Sequence, residues 1–235
     1  MEKPTFAVDS LYHIYNRGVE KRTIFLENGD YFRFIYNLYE FNDETPAENL
    51  YYKRFALQSY EIESHKSKRK RSKLVNIIAF CLMPNHFHFL LEQVAENGIV
   101  KFMHKLGIGY SMYFNKKYER VGGLFQGRFK AVLLADDAHF FYLPHYIHLN
   151  PLELFIPNLK EKEKKINIEK ALEFLKNYRW SSYLDFIGKK NFPSVLAKDR
   201  LHSLYDIGAP YKRSLQEWLN NFESDALDLD TIMLD

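Results

Sequence analysis

The chain moves between two hydrophobic rhythms. In "LYHIYNRG" (11–18) alternating positions carry β-branched or aromatic residues until Gly18, which predicts a strand. "NGDYFRFIYNLYEFN" (28–42) changes to helical spacing, with Tyr31, Ile35 and Leu38 on one stripe behind a capping Asn28 or Asp30. Residues 43–74 are polar, show no convincing core face beyond 50–62, and read as an inserted excursion. "NIIAFCL" then predicts a strand, "MPN" a turn and "HFHFLLE" its antiparallel return. Over 98–118, Ile99, Phe102, Met103, Leu106, Tyr110 and Tyr113 share one stripe of a helix of about five turns. Gly122-Gly123 ends it, and "LFQGRFKAVLL" (124–134) predicts another strand. Asp136 or Asp137 is placed to cap a helix running to about Leu149, ahead of Pro151. A further helix spans about 168–177, with weaker helical stretches beyond it.

The order strand, helix, hairpin, helix, strand, helix implies an α+β sandwich, with helices covering one face of a mainly antiparallel sheet. We divide the chain into a domain at 1–187, carrying a basic insertion at about 43–74, and a helical C-terminal extension at 188–235 with an acidic tail.

Composition narrows the class. Of 235 residues, 46% are hydrophobic and 27% charged, the balance of a soluble globular protein. No apolar run approaches the ~20 residues of a membrane span, and "MEKPTFAVDS" lacks the apolar core of a signal peptide. A lone cysteine, Cys81, excludes an internal disulfide framework and Cys-rich zinc sites. A cytoplasmic protein without a membrane partner is expected.

Charge adds a partner class. The net charge is only +3, but residues 65–73 hold six Lys or Arg and no acid. Residues 101–130 hold seven basic side chains against Glu119 alone, whereas 215–235 hold six acids and no base. That asymmetry suits a polyanion such as nucleic acid; solvated faces are an equal reading. The 20 Phe and 17 Tyr add stacking surfaces for unpaired bases, although most such rings read as core.

The candidate chemistry begins at "CLMPNHFHFLL" (81–91). Residues two apart on a strand share a face, so His86 and His88 project together while Phe87 and Phe89 turn to the core. Two neutral imidazoles can offer nitrogen to one divalent ion; alone, the pair reads equally as two surface histidines. A catalytic ion needs a third protein ligand. "YLPHYIHLNPLE" (142–153) supplies a candidate, because Tyr146 and Asn150 lie four apart on one helix face. Asn150 offers a carbonyl oxygen. Tyr146 offers a phenol, a poor nucleophile at its ordinary pKa of about 10 unless a cationic setting favours the phenolate.

Taken in order, "YHIYNRG", "CLMPNHFHFLL", "FMHKLGIGYSMYFNKKYERVGGLFQGRFKAVLL", "YIHLNP" and "RWSSY" resemble the IS200-like single-tyrosine transposase family, most closely its REP-associated members. The resemblance covers about residues 8–187, and NHFH is its HUH motif with Phe87 as the hydrophobic residue. It implies an RRM-like α+β fold that cuts and rejoins single-stranded DNA near hairpins, using Mg²⁺ or Mn²⁺ and a 5′-phosphotyrosine intermediate. By the same resemblance His86 and His88 are metal ligands, Tyr146 the nucleophile, and Asn150 the amide completing the metal site. The assembly it implies is a monomer or a homodimer.

Arg128 and Lys130 share a face of the strand expected at 124–134 and are candidates for the DNA backbone, with Arg17 and Lys105 behind them. Lys68, Arg69, Lys70 and Arg71 form the basic run of the insertion, either a DNA clamp or a solvated loop. For each of these, an ordinary surface charge is an equal reading. His145 and His148 flank Tyr146 on other helix faces and are not expected as ligands, His13 and His104 read as structural, and Tyr142 as a fallback nucleophile. Pro144 departs from the family pattern: either the helix starts there, where proline is tolerated and which we prefer, or it kinks there. Two rival functions remain: a hairpin-binding regulator without catalysis, and a metal nuclease that activates water.

Overall fold

The computed structural model describes residues 4–46, 71–135, 137–156 and 167–221. Four strands, β1 (Leu11–Arg17), β2 (Val75–Met83), β3 (His86–Gln93) and β4 (Lys130–Leu133), form one antiparallel sheet in the order β2-β3-β1-β4. Between and after them come α1 (Asn28–Glu40), α2 (Gly98–Lys117) and α3 (Asp137–Leu149). This is the α+β arrangement expected from the pattern of the sequence.

The β2–β3 hairpin closes at the Met83–His86 pair, leaving Pro84 and Asn85 as its loop. Segment 18–25 clamps that loop: Ile24 N–H donates to the Pro84 carbonyl at 2.8 Å, and Gly18 N–H to the Asn85 carbonyl at 2.8 Å. Position 18 takes glycine because a Cβ there would run into the Arg22 carbonyl.

Alternation sorts the sheet into two faces. On one, Tyr12, Ile14, Phe87, Phe89 and Leu91 meet α1 and α2; the ring of Phe34 lies 5.3 Å from Phe87 and 4.8 Å from Tyr110. On the other stand His13, Tyr15 and Arg17 of β1 beside His86, His88 and Leu90 of β3. Helix α3 packs over this second face. Helices therefore cover both faces, not one as expected. Strand β3 explains why: all its residues are buried, so both of its surfaces need cover.

Three local expectations are corrected. Helix α1 starts at Asn28 with Glu27 as its N-cap, and buried Asp30 reaches back to accept from Glu27 N–H at 3.2 Å. The strand expected over 124–134 is limited to Lys130–Leu133. Residues before it are tied instead to the end of β1, with Gln126 N–H donating to the Arg17 carbonyl at 2.9 Å and the Asn16 amide to the Gly127 carbonyl at 3.1 Å. Finally, α3 begins at Asp137, so Pro144 lies inside the helix and not at its start. Proline cannot donate to the carbonyl four residues back, that of Phe140. The hydroxyl of Tyr205 donates to that carbonyl instead, at 2.8 Å, and the helix runs on to Leu149.

Helices α4 (Leu152–Phe155), α5 (Ile168–Asn177), α6 (Tyr183–Phe186), α7 (Lys198–Leu204) and α8 (Ala209–Asn221) follow. "RWSSY" continues the sheet edge, where Ser181 bridges Cys81 and Leu82 N–H donates to the Trp180 carbonyl at 2.9 Å. Lys68, Arg69 and Lys70, with most of the 43–74 insertion and the acidic end beyond 221, lie outside the described residues. No described helix is long and apolar enough to cross a membrane.

Candidate active site

Strand β3 carries His86 and His88 on the face that α3 covers, and their rings stand 5.0 Å apart at 88°. Helix α3 brings Tyr146 to the same place. Its ring meets His88 edge-on at 5.4 Å between centroids. Both histidines and the tyrosine are buried. One turn beyond, Asn150 N–H donates to the Tyr146 carbonyl at 3.2 Å, and the Asn150 side-chain amide donates to the same carbonyl at 2.8 Å. That bond holds the amide nitrogen on the helix, so Oδ1 is the atom Asn150 can present.

Hydrogen bonding fixes the tautomer of His86. Its Nδ1 lies 2.6 Å from Asn85 Oδ1, while the amide nitrogen of Asn85 donates to the Lys21 carbonyl at 3.2 Å. An amide oxygen only accepts, so Nδ1 of His86 carries the proton and Nε2 the lone pair. A divalent ion needs that nitrogen. Among the described residues no three His, Cys, Asp or Glu side chains are grouped to hold an ion. The Asn150 amide, held one turn beyond Tyr146, is the group that could add a third ligand. Two imidazoles and one amide oxygen are a donor set that could hold one divalent ion and leave positions open for substrate.

Two residues read from sequence as structural or unassigned belong to this cluster. His13 places Nε2 2.9 Å from His88 Nδ1, and its ring also meets Tyr146 edge-on at 5.7 Å. Tyr15, paired across the strands with His88, stacks on His13 at 5.0 Å and on His88 at 5.8 Å. The alternation of "YHIYNRG" puts His13, Tyr15 and Arg17 on one face, but only the register with β3 turns that face towards the histidine pair.

The basic candidates separate. Arg17 pairs with His86, and Lys130 pairs with Tyr15, its ammonium 5.5 Å over the ring; both border the cluster. Arg128 lies in a bend before β4, exposed, and shares no strand face with Lys130. Lys105 is on α2, across the sheet, where it donates to the carbonyls of Asp43 and, at 2.9 Å, Thr45. Arg71 lies over the Tyr39 ring at 4.0 Å, donates to the Glu40 carbonyl at 3.3 Å and pairs with Asp43 at 3.4 Å. It ties off the end of α1.

The flanking histidines point elsewhere. His148 is fully buried between Tyr211 Oη (2.6 Å from Nδ1) and Ser182 Oγ (2.7 Å from Nε2). Burial holds its pKa well below the ordinary value, and lowers that of His145 to about 4. Tyr142 stands one turn before Tyr146, exposed.

A family described as "Transposase IS200 like" matches residues 51–150 of the chain. No curated protein matches it. Among solved structures the chain is similar to one described as the REP-associated tyrosine transposase bound to a REP hairpin. The two are 10% identical, the likeness covers 89% of this chain and 95% of that one, and the TM-score is 0.49.

Proposed function

We propose that this chain, which matches the IS200-like transposase family over residues 51–150, cuts and rejoins single-stranded DNA beside hairpins through a covalent link to Tyr146. The observation that carries this reading is the meeting of Tyr146 and His88 at 5.4 Å on the strand face that His86 shares. A protein that only binds hairpins has no chemical use for a phenol held against a metal-ligating pair.

In the reaction the Tyr146 phenol oxygen attacks the scissile phosphorus. The bond from phosphorus to the 3′ oxygen breaks, and the departing strand leaves as a 3′-hydroxyl with the proton the phenol gives up. The 5′-phosphate stays on Tyr146. Attack by a 3′-hydroxyl reverses these steps, so the strand is rejoined without ATP. His86 and His88, with Asn150, would hold the divalent ion, which supplies neutralisation of phosphate charge. Arg17 and Lys130, which border the cluster, would contact neighbouring phosphates. Single strands suit the site, because a phosphate in a duplex bends poorly into a buried cluster.

The test is a denaturing gel of purified protein, Mn²⁺ and a pool of single-stranded hairpin oligonucleotides, beside Tyr146→Phe. We expect a covalent protein–DNA band that requires Tyr146. Cleavage persisting in Tyr146→Phe without the band would mean water-activating nuclease chemistry. Binding with neither adduct nor cleavage would favour the regulator.

A further inference from the structure

His13 and His88 share one hydrogen bond, and which nitrogen carries its proton decides what His88 can do. We propose that His13 is a positioning residue: it accepts from His88 Nδ1 and so holds His88 in the Nδ1–H tautomer, with the Nε2 lone pair presented for a divalent ion. The proposal rests on the metal-site reading of the histidine pair.

Only two neutral arrangements satisfy the 2.9 Å contact between His13 Nε2 and His88 Nδ1. If His13 donates, the proton of His88 sits on Nε2, which then cannot ligate an ion. If His88 donates, Nε2 bears the lone pair, and the proton of His13 sits on its own Nδ1. Both rings are 2% exposed, enclosed in the same cluster. His86 is already set in the Nδ1–H form by Asn85, whose amide orientation the Lys21 carbonyl fixes. Both Nδ1 atoms are taken up in these hydrogen bonds, so each imidazole can ligate an ion only through Nε2, which needs the Nδ1–H form. His13 does for His88 what Asn85 does for His86.

The packing holds this arrangement in place. The His13 and His88 rings are 5.2 Å apart and within 19° of parallel, and Tyr15 stacks against both. Tyr146 stands edge-on to the pair, so the same contact that sets the tautomer also seats the nucleophile's ring. A histidine retained for packing alone would leave the His88 tautomer free to change with little consequence. Loss of an outer-shell partner of this kind typically weakens metal affinity by about 10–100-fold.

The test starts with the metal-free full chain, read by long-range proton–nitrogen correlation spectra of the histidine rings at neutral pH. We expect His88 as Nδ1–H in the native protein. In His13→Phe it should move towards the Nε2–H form that an isolated histidine prefers. Mn²⁺ binding, followed by electron paramagnetic resonance, should weaken about 10–100-fold in His13→Phe and recover in part in His13→Gln, whose side-chain oxygen can accept from Nδ1. Native His88 in the Nε2–H form would overturn the proposal, and that reading needs no variant to fold. An unchanged tautomer and unchanged Mn²⁺ affinity in both folded variants would overturn it as well. A native chain that shows the Nδ1–H tautomer but no Mn²⁺ binding would support the tautomer assignment and remove the metal-site reading beneath it.

Discussion

His145 and His148 sit on either side of the candidate nucleophile in the chain, and burial keeps both uncharged where a free histidine would titrate. The His145 ring lies 5.0 Å from that of Tyr211, with His148 the nearby ionisable neighbour, and no carboxylate contributes to its shift. Its pKa is lowered from 6.5 to about 4. Above 6.5 the residue is neutral whether the chain is folded or not. Below that, the unfolded chain takes up the proton and the folded one does not, so stability is lost as pH falls from 6.5 towards about 4. His145 alone accounts for roughly 3 kcal/mol of this loss, and His148 acts in the same direction. Urea melts across that window should show a falling midpoint, with a shallower fall in His145→Leu. At this scale the sequence identified His86, His88 and Tyr146 as a set, because a motif records residue types. It gave no sign that His13 meets His88, since the two lie 75 residues apart.

Helix α3 is the element on which the site depends, and a proline in its interior ought to weaken it. What the sequence could not supply is the substitute donor. Tyr205 at the end of α7 sends its hydroxyl to the Phe140 carbonyl and stacks its ring on that of Phe140 at 4.9 Å. Tyr205→Phe keeps the stack and removes only the hydrogen bond, so it should cost about 1–2 kcal/mol. In Pro144→Ala the backbone regains its own donor to Phe140, and the cost of Tyr205→Phe should shrink. A double-mutant cycle in urea measures that coupling; full additivity would refute the substitution of one donor for the other. Elements with strong periodicity, α1, α2 and the β2–β3 hairpin, were legible to within a residue or two. β4 was not. Its apolar run extends back to Leu124, but Gly127 and the hydrogen bonds to the end of β1 shorten the strand, and with it goes the shared face of Arg128 and Lys130.

Residues after 187 join the rest of the molecule at several buried points. Ala197 N–H donates to the Ile77 carbonyl at 3.0 Å, Tyr211 closes the hydrogen bond to His148, and Arg200 pairs at 2.6 Å with Glu92, a carboxylate left 4% exposed. Removing one partner of such a buried pair leaves a charge or polar group stranded in the core. A chain ended at 187 should therefore lose several kcal/mol and melt ~10 °C or more lower, or without a cooperative transition. Calorimetry of the shortened and full chains checks this. An unchanged melt would make the C-terminal segment a separable extension.

The sequence by itself determined the order of the elements and the direction in which His86, His88 and Tyr146 leave their own strand or helix. Period two puts His86 and His88 on one face, and one helical turn aligns Tyr146 with Asn150, whatever surrounds them. The tertiary structure decided which of those directions converge. It laid α3 over the histidine face, brought His13 to His88 through the β1–β3 register, and tied Lys105 and Arg71 to backbone carbonyls away from the site. The reason is physical: local periodicity follows from backbone geometry within one segment. A meeting between residues far apart in the chain is settled only when the whole core has chosen how its elements pack.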